Sequence, residues 1–162
     1  MKHKVNFRLE GSVEAISEIL QSEDYHIEEG NSRDIIVATA YHLRSENERE
    51  QRFDVEFTEY KRTKLGGVDR SGTQTSWSRC VFNRNNNTFF WRYDGPESHR
   101  FSMSGTYFFA QQGSFIDVTH EVDIEINVPL IGKRISKLVV SEFEKEMPRV
   151  QGVMQRFLRN VS

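Results

Sequence analysis

The 162-residue chain carries 22 Lys and Arg against 24 Asp and Glu, a formal charge of −2 that argues against general, phosphate-driven nucleic-acid binding. Its length and 36% hydrophobic content suit one globular domain, expected over residues 1–162. Cys80 is the single cysteine, which excludes an intrachain disulfide and a cysteine metal set; no apolar run reaches spanning length and "MKHKVNFRLEG" has no signal-peptide core, so a reduced, cytoplasmic protein is expected.

Residues 3–10 alternate, with Val5, Phe7 and Leu9 on one side, and read as a first strand. Gly11-Ser12 ends it, and Ser12 is placed to cap a helix carrying Val13, Ile16, Ile19 and Leu20. Ser22 is placed to cap a second short helix ending near Gly30-Asn31. A second strand is expected in "RDIIVATAYHLR", with Ile35, Val37, Thr39, Tyr41 and Leu43 on one face. The third carries Phe53, Val55 and Phe57. Residues 62–72, "RTKLGGVDRSG", read as a long glycine-bearing loop. The fourth strand, 73–83, is read with Thr75, Trp77, Arg79 and Val81 on its interior face. "NRNNN" is a turn, because asparagine tolerates left-handed backbone. Phe89, Trp91 and Tyr93 form the interior row of the fifth strand, and Phe101, Met103, Gly105, Tyr107 and Phe109 that of the sixth.

The seventh strand, "SFIDVTHEVDIEINV", is the most regular. Ile116, Val118, Val122, Ile124, Ile126 and Val128 fall on every second position, with polar residues between them. His120 stands in the apolar row. A hairpin centred near residue 112 would set Tyr107 opposite about 117 and residue 104 opposite 120. Pro129 ends the strand, and from 132 to 160 the period becomes helical through Ile135, Leu138, Val139, Phe143, Met147, Val150, Met154, Phe157, Leu158 and Val161. Such a helix is about 40 Å long. Pro148 is expected to kink it.

One strand, two short helices, six strands joined by short turns and one long helix imply an α+β protein. Its curved, seven-stranded antiparallel sheet would wrap around the C-terminal helix. This order resembles the helix-grip fold of the START-like, or birch-pollen-allergen-like (SRPBCC), superfamily, and the resemblance covers the whole chain. "VPLIGKRISKLVVSEFEKEM" is similar to an uncharacterised bacterial branch in which a V-P-L-I-G corner precedes the long helix. "NFRLEGSVEAISEILQSEDY" is similar to the family's opening strand and short helix. The resemblance implies a hydrophobic cavity between sheet and helix for lipids, sterols or polyketides, with some members acting as cyclases or hydrolases. It carries over no catalytic residue and implies no cofactor.

Alternating connections place 62–72, 94–99 and 129–132 at one end, the expected ligand entrance. Lys133, Arg134 and Lys137, with Lys61, Arg62, Lys64 and Arg70 nearby, form either a basic rim for an anionic headgroup or peripheral membrane contact, or an ordinary solvated surface. Tyr41, Arg79, Trp91, Tyr93, Met103, Tyr107 and His120 are the expected cavity residues, Thr39 lying on the same row as Tyr41. Arg79 would anchor an acidic ligand, pair with a carboxylate or snorkel at the rim. His120 is either a ligand-orienting or basic group, or a core histidine bonded to Tyr107 or a carbonyl. No nucleophile elbow, zinc-protease or phosphate-loop motif is present, and the five histidines lack metal-ligand spacing. Binding or transport of a small hydrophobic ligand is the leading expectation. A cyclase or hydrolase with His120 as general base, and an interaction protein whose cavity is filled by its own aromatics, are the alternatives. Oligomeric state is left open.

Overall fold

The computed structural model describes residues 1–63 and 67–161. Strand β1 (Lys2–Glu10) leads into α1 (Val13–Leu20) and α2 (Glu23–Asn31). Six strands follow: β2 (Ile36–Glu46), β3 (Glu50–Arg62), β4 (Val68–Asn83), β5 (Thr88–Asp94), β6 (Phe101–Gln112) and β7 (Phe115–Ile126). Helix α3 (Gly132–Asn160) closes the chain. The strands form one antiparallel sheet in the order β1-β7-β6-β5-β4-β3-β2, so β1 closes onto β7 and β2 is the far edge. The sheet with α3 seated against β1, β7, α1 and α2 is the helix-grip arrangement. Among the described residues no helix is long and apolar enough to cross a membrane.

Local chemistry places the short helices as expected. Ser12 Oγ accepts from the Ala15 amide and Ser22 Oγ from the Tyr25 amide, each satisfying an orphan donor of a first turn. The turn before β5 carries Asn87 at φ 53, and the β6–β7 turn carries Gly113 at φ 61.

Direct antiparallel partners point to the same face, so the register can be read as rows across the cup. One row runs Gln51, Phe82, Phe89, Tyr107, His120 and Val5. The next runs Phe53, Cys80, Trp91, Gly105, Val122 and His3. Phe53, Phe82, Ile116, Val118 and Leu9 are buried there with Leu20 and Ile16 of α1 and Met154 of α3. Each such side chain contributes roughly 1.5–3 kcal/mol.

Three expectations are corrected. The β4 face was inverted: Ser76, Cys80 and Phe82 are buried, and Thr75, Trp77, Arg79 and Val81 belong to the outer face. The even row is forced inward because Cys80 pairs with Phe53 and Trp91, whose row must be buried. The 62–72 loop is mostly strand, since Arg62 pairs with Val68 and Lys61 with Asp69. In β2, register shifts between Ile36 and Ala38 and between Leu43 and Ser45 break the alternation, leaving Val37 and Leu43 exposed.

The long helix is continuous through Pro148, but its burial is not. Met147, Val150, Val153, Met154 and Leu158 are buried, all in the C-terminal half. Leu138, expected in the core, is 62% exposed, and Val161 is exposed too.

Candidate functional site

His120 is 1% exposed and faces the interior, in contact with the long helix. The β6–β7 hairpin turns on Gly113-Ser114, between the partners Gln112 and Phe115, slightly later than the expected centre near residue 112. Tyr107 therefore lies directly opposite His120, and their rings stack at 3.6 Å between centroids. Trp91 Nε1–H donates to His120 Nε2 at 2.8 Å. An indole nitrogen only donates, so Nε2 accepts and the ring proton sits on Nδ1. Nδ1 faces Met147 Sδ at 3.4 Å. Burial lowers the His120 pKa to about 3. The ring is neutral, with its lone pair engaged by a protein donor.

Gly105 makes that bond possible. Trp91 and His120 lie on β5 and β7, with β6 between them. A Cβ on Gly105 would come within 2.6 Å of the indole and 2.7 Å of His120 Nε2. Only a residue without a side chain lets the indole lie across the middle strand.

His26 of α2 is a second buried histidine that the sequence reading passed over. Its Nε2 lies 2.6 Å from the Leu20 carbonyl, to which it donates. Burial lowers its pKa to about 4. Its ring packs against Tyr41, Phe53 and Phe89. The signal available was a weak one: Tyr25, His26, Glu29 and Gly30 share one face of α2, a helix with no apolar stripe. Glu29 on that face binds Arg33 and Arg149, the latter tying α2 to α3; the two guanidinium groups hold its carboxyl below its ordinary pKa despite burial.

The ring contacts join into a floor. His26, Phe53, Phe89, Tyr107 and His120 touch in sequence across the sheet, and Phe143 of α3 closes on His120 at 4.9 Å. Beyond this floor, toward the start of α3, the packing opens. Trp91, Tyr93, Phe101 and Met103 on the sheet are only half-buried, as are Ile135, Val139 and Phe143 on the helix. The main sheet contacts of α3 are with β1 and β7, so these two half-buried sets border a less closely packed wedge between the start of α3 and strands β5 and β6. At the same end an open recess of about 600 Å³ is lined by Ile124, Ile126, Leu130, Lys133 and Ser136 among others.

The expected site residues thus divide. Tyr107 and His120 lie in the floor. Trp91 bridges floor and wedge, and Tyr93 and Met103 line the wedge. Tyr41 sits at the far edge against His26 and Phe53, its pKa pushed up to about 12 by burial. Thr39 faces Gly30 with a buried hydroxyl that has no hydrogen-bond partner among the described residues. Arg79 is on the outer face. It donates to Asp54 at 2.9 Å and to Asp94 at 2.9 and 3.1 Å, and its guanidinium lies over Trp77. Of the expected rim, Lys61 and Arg62 belong to β3, Arg70 stacks on Tyr60, and Lys64 lies outside the described residues. The turn between β5 and β6, the β3–β4 hairpin end and the Pro129 corner do share one end of the sheet.

The fold is shared with solved structures at low identity. The Zhui aromatase/cyclase from Streptomyces sp. R1128 aligns with a TM-score of 0.64 at 12% identity, over 100% of this chain and 96% of that one. A START superfamily protein from Mycobacterium smegmatis aligns at 0.60 and 15% identity, over 99% of both chains. Major latex-like protein 151 from Panax ginseng aligns at 0.60 and 10% identity, over 98% and 97%. The chain therefore has the START-like, helix-grip fold. No protein-family model matches the sequence, and no curated protein matches it.

Proposed function

We propose that this protein binds or carries a small hydrophobic ligand, of lipid, sterol or polyketide-like character, in the wedge between the first half of α3 and strands β5 and β6. The split interior supports this reading. The C-terminal half of the helix is sealed, whereas seven large apolar or aromatic side chains around its N-terminal half remain half-buried. Apolar surface left open on facing walls favours a ligand that would complete the packing. The unpaired, buried Cys80 suits a reducing, cytoplasmic setting.

A cyclase or hydrolase reading draws on the aromatase/cyclase among the structural neighbours. His120 gives it little support. Its Nε2 lone pair already accepts from Trp91, no carboxylate bonds its Nδ1, and burial opposes protonation. The chemistry of this histidine is that of a packed, neutral core group.

The two tryptophans supply a test. Trp77 is on the outer face and Trp91 borders the wedge, so Trp77→Phe leaves Trp91 as the sole indole reporter. Titration of that variant with an environment-sensitive fluorescent fatty acid is expected to give saturable energy transfer. Trp91→Ala in the parent should change the affinity. A panel of lipids, sterols and aromatic polyketides giving no saturable signal would overturn the reading in favour of a self-filled interior.

A further inference from the structure

The start of α3 carries three cations and no acid. Lys133, Arg134 and Lys137 lie in its first two turns, whose first turn holds no Asp or Glu. Among the described residues none of the three takes part in an ion pair, whereas Lys4 pairs with Glu121, Arg8 with Asp117 and, further along α3, Lys145 with Glu142. Cations at a helix N-terminus also oppose the helix dipole. The protein thus holds three unneutralised positive charges where they are least favourable.

These charges line a hollow. A recess of about 280 Å³ is bounded by Leu130, Lys133, Arg134 and Lys137. It adjoins the larger open recess of about 600 Å³, because Leu130 and Lys133 line both. The larger one reaches the inward-facing Ile124 and Ile126 at the mouth of the cup. Leu130, which joins the two, is fully exposed and held at φ 71, a conformation unfavourable for leucine. The two recesses therefore meet at Leu130 and Lys133, joining a cationic hollow to Ile124 and Ile126 at the mouth of the cup. Glu125 is the one carboxylate among the lining residues, and it belongs to the larger recess.

We infer that the ligand is an anionic amphiphile, with a carboxylate or phosphate held by Lys133, Arg134 and Lys137 and an apolar body directed past Leu130 into the wedge. This deepens the proposed function and rests on it. The geometry joins two chemistries that a neutral sterol or hydrocarbon would not use together. A single headgroup seated among three cations gains charge-assisted hydrogen bonds that a hydroxyl cannot match.

The test compares dodecanoate with dodecan-1-ol, which share one tail, on the Trp77→Phe protein with Trp91 as reporter. Dodecanoate should bind about tenfold more tightly at low ionic strength, with the advantage shrinking as salt is added. The triple variant Lys133→Gln, Arg134→Gln, Lys137→Gln should abolish that advantage and leave dodecanol affinity unchanged. All three side chains are exposed and oppose the helix dipole, so this variant should melt at or slightly above the parent. Equal affinities for the two probes, or an advantage that survives the triple variant, would overturn the inference while leaving apolar binding intact. Binding of neither probe would overturn the binding function and this inference together.

Discussion

Trp91 and His120 are joined by a 2.8 Å hydrogen bond that crosses an intervening strand. The bond orders the interior, because it fixes the histidine tautomer and holds the indole between the sealed floor and the open wedge. It also explains why a polar ring is tolerated in the apolar row of β7. Each nitrogen has a neighbour, Trp91 on one side and Met147 sulfur on the other.

Gly105→Ala should break this arrangement. Its Cβ would meet the indole at 2.6 Å, closer than any packed carbon tolerates. Displacing the Trp91 ring leaves His120 Nε2 without its donor. A loss of about 1–3 kcal/mol is expected from urea unfolding, with a red shift of Trp91 emission in the Trp77→Phe background. Unchanged emission and stability would show that the indole does not lie across Gly105.

The two buried histidines set an acid dependence. Their pKa values are lowered from 6.5 to about 4 for His26 and about 3 for His120. Below pH 6.5 the unfolded chain takes up protons that the folded state refuses. Their contribution is therefore complete above that pH and is lost as pH falls toward the folded values. The slope should approach at most about 1.4 kcal/mol per pH unit for each histidine. Glu29 acts in the same direction, but around and below its ordinary value of 4.5. Urea midpoints measured from neutral pH down to about 5 should fall, and His120→Phe should flatten the fall. An equally steep profile in that variant would mean that His120 is not held neutral.

Helix α3 should tolerate substitutions unevenly. Leu138→Asp is expected to change stability by less than about 0.5 kcal/mol, because the side chain is mostly in water. Met154→Ala, in the sealed half, should cost about 2–5 kcal/mol. Thermal melts of the pair test this directly, and a severe loss from Leu138→Asp would place that turn against the sheet.

Arg79→Met should leave ligand affinity at the parent value, since the guanidinium lies on the outer face between Asp54 and Asp94. Stability should fall by up to about 1 kcal/mol, the scale of a partly exposed ion pair. A selective loss of binding at unchanged stability would contradict the outer placement.

Much of the fold was legible because it is written in local terms. The strict alternation from Ile116 to Ile126, the caps at Ser12 and Ser22, and the change of period after Pro129 each act over a few residues. Together they specify the element order, and with short turns the order specifies an antiparallel meander. Alternation places His120 with its valine neighbours whatever the rest of the chain does. What it cannot supply is the sign of a face whose two rows are equally mixed. In β4 the row of Ser76, Ser78, Cys80 and Phe82 is no more apolar than that of Thr75, Trp77, Arg79 and Val81. Pairing to Phe53 and Trp91 decided it, and pairing is a property of the assembled sheet. The Tyr107–His120 stack depended on where a two-residue turn fell, because a small shift of the hairpin centre changes every partner. His26 was hidden because α2 draws its burial from the sheet it covers and carries no stripe of its own. The apolar stripe of α3 named a side of the helix, but only the tertiary structure decided how much of that side has a wall against it. The helix packs mainly on β1 and β7, and its buried residues all fall in its C-terminal half, so one stripe became a sealed half and a half-buried one.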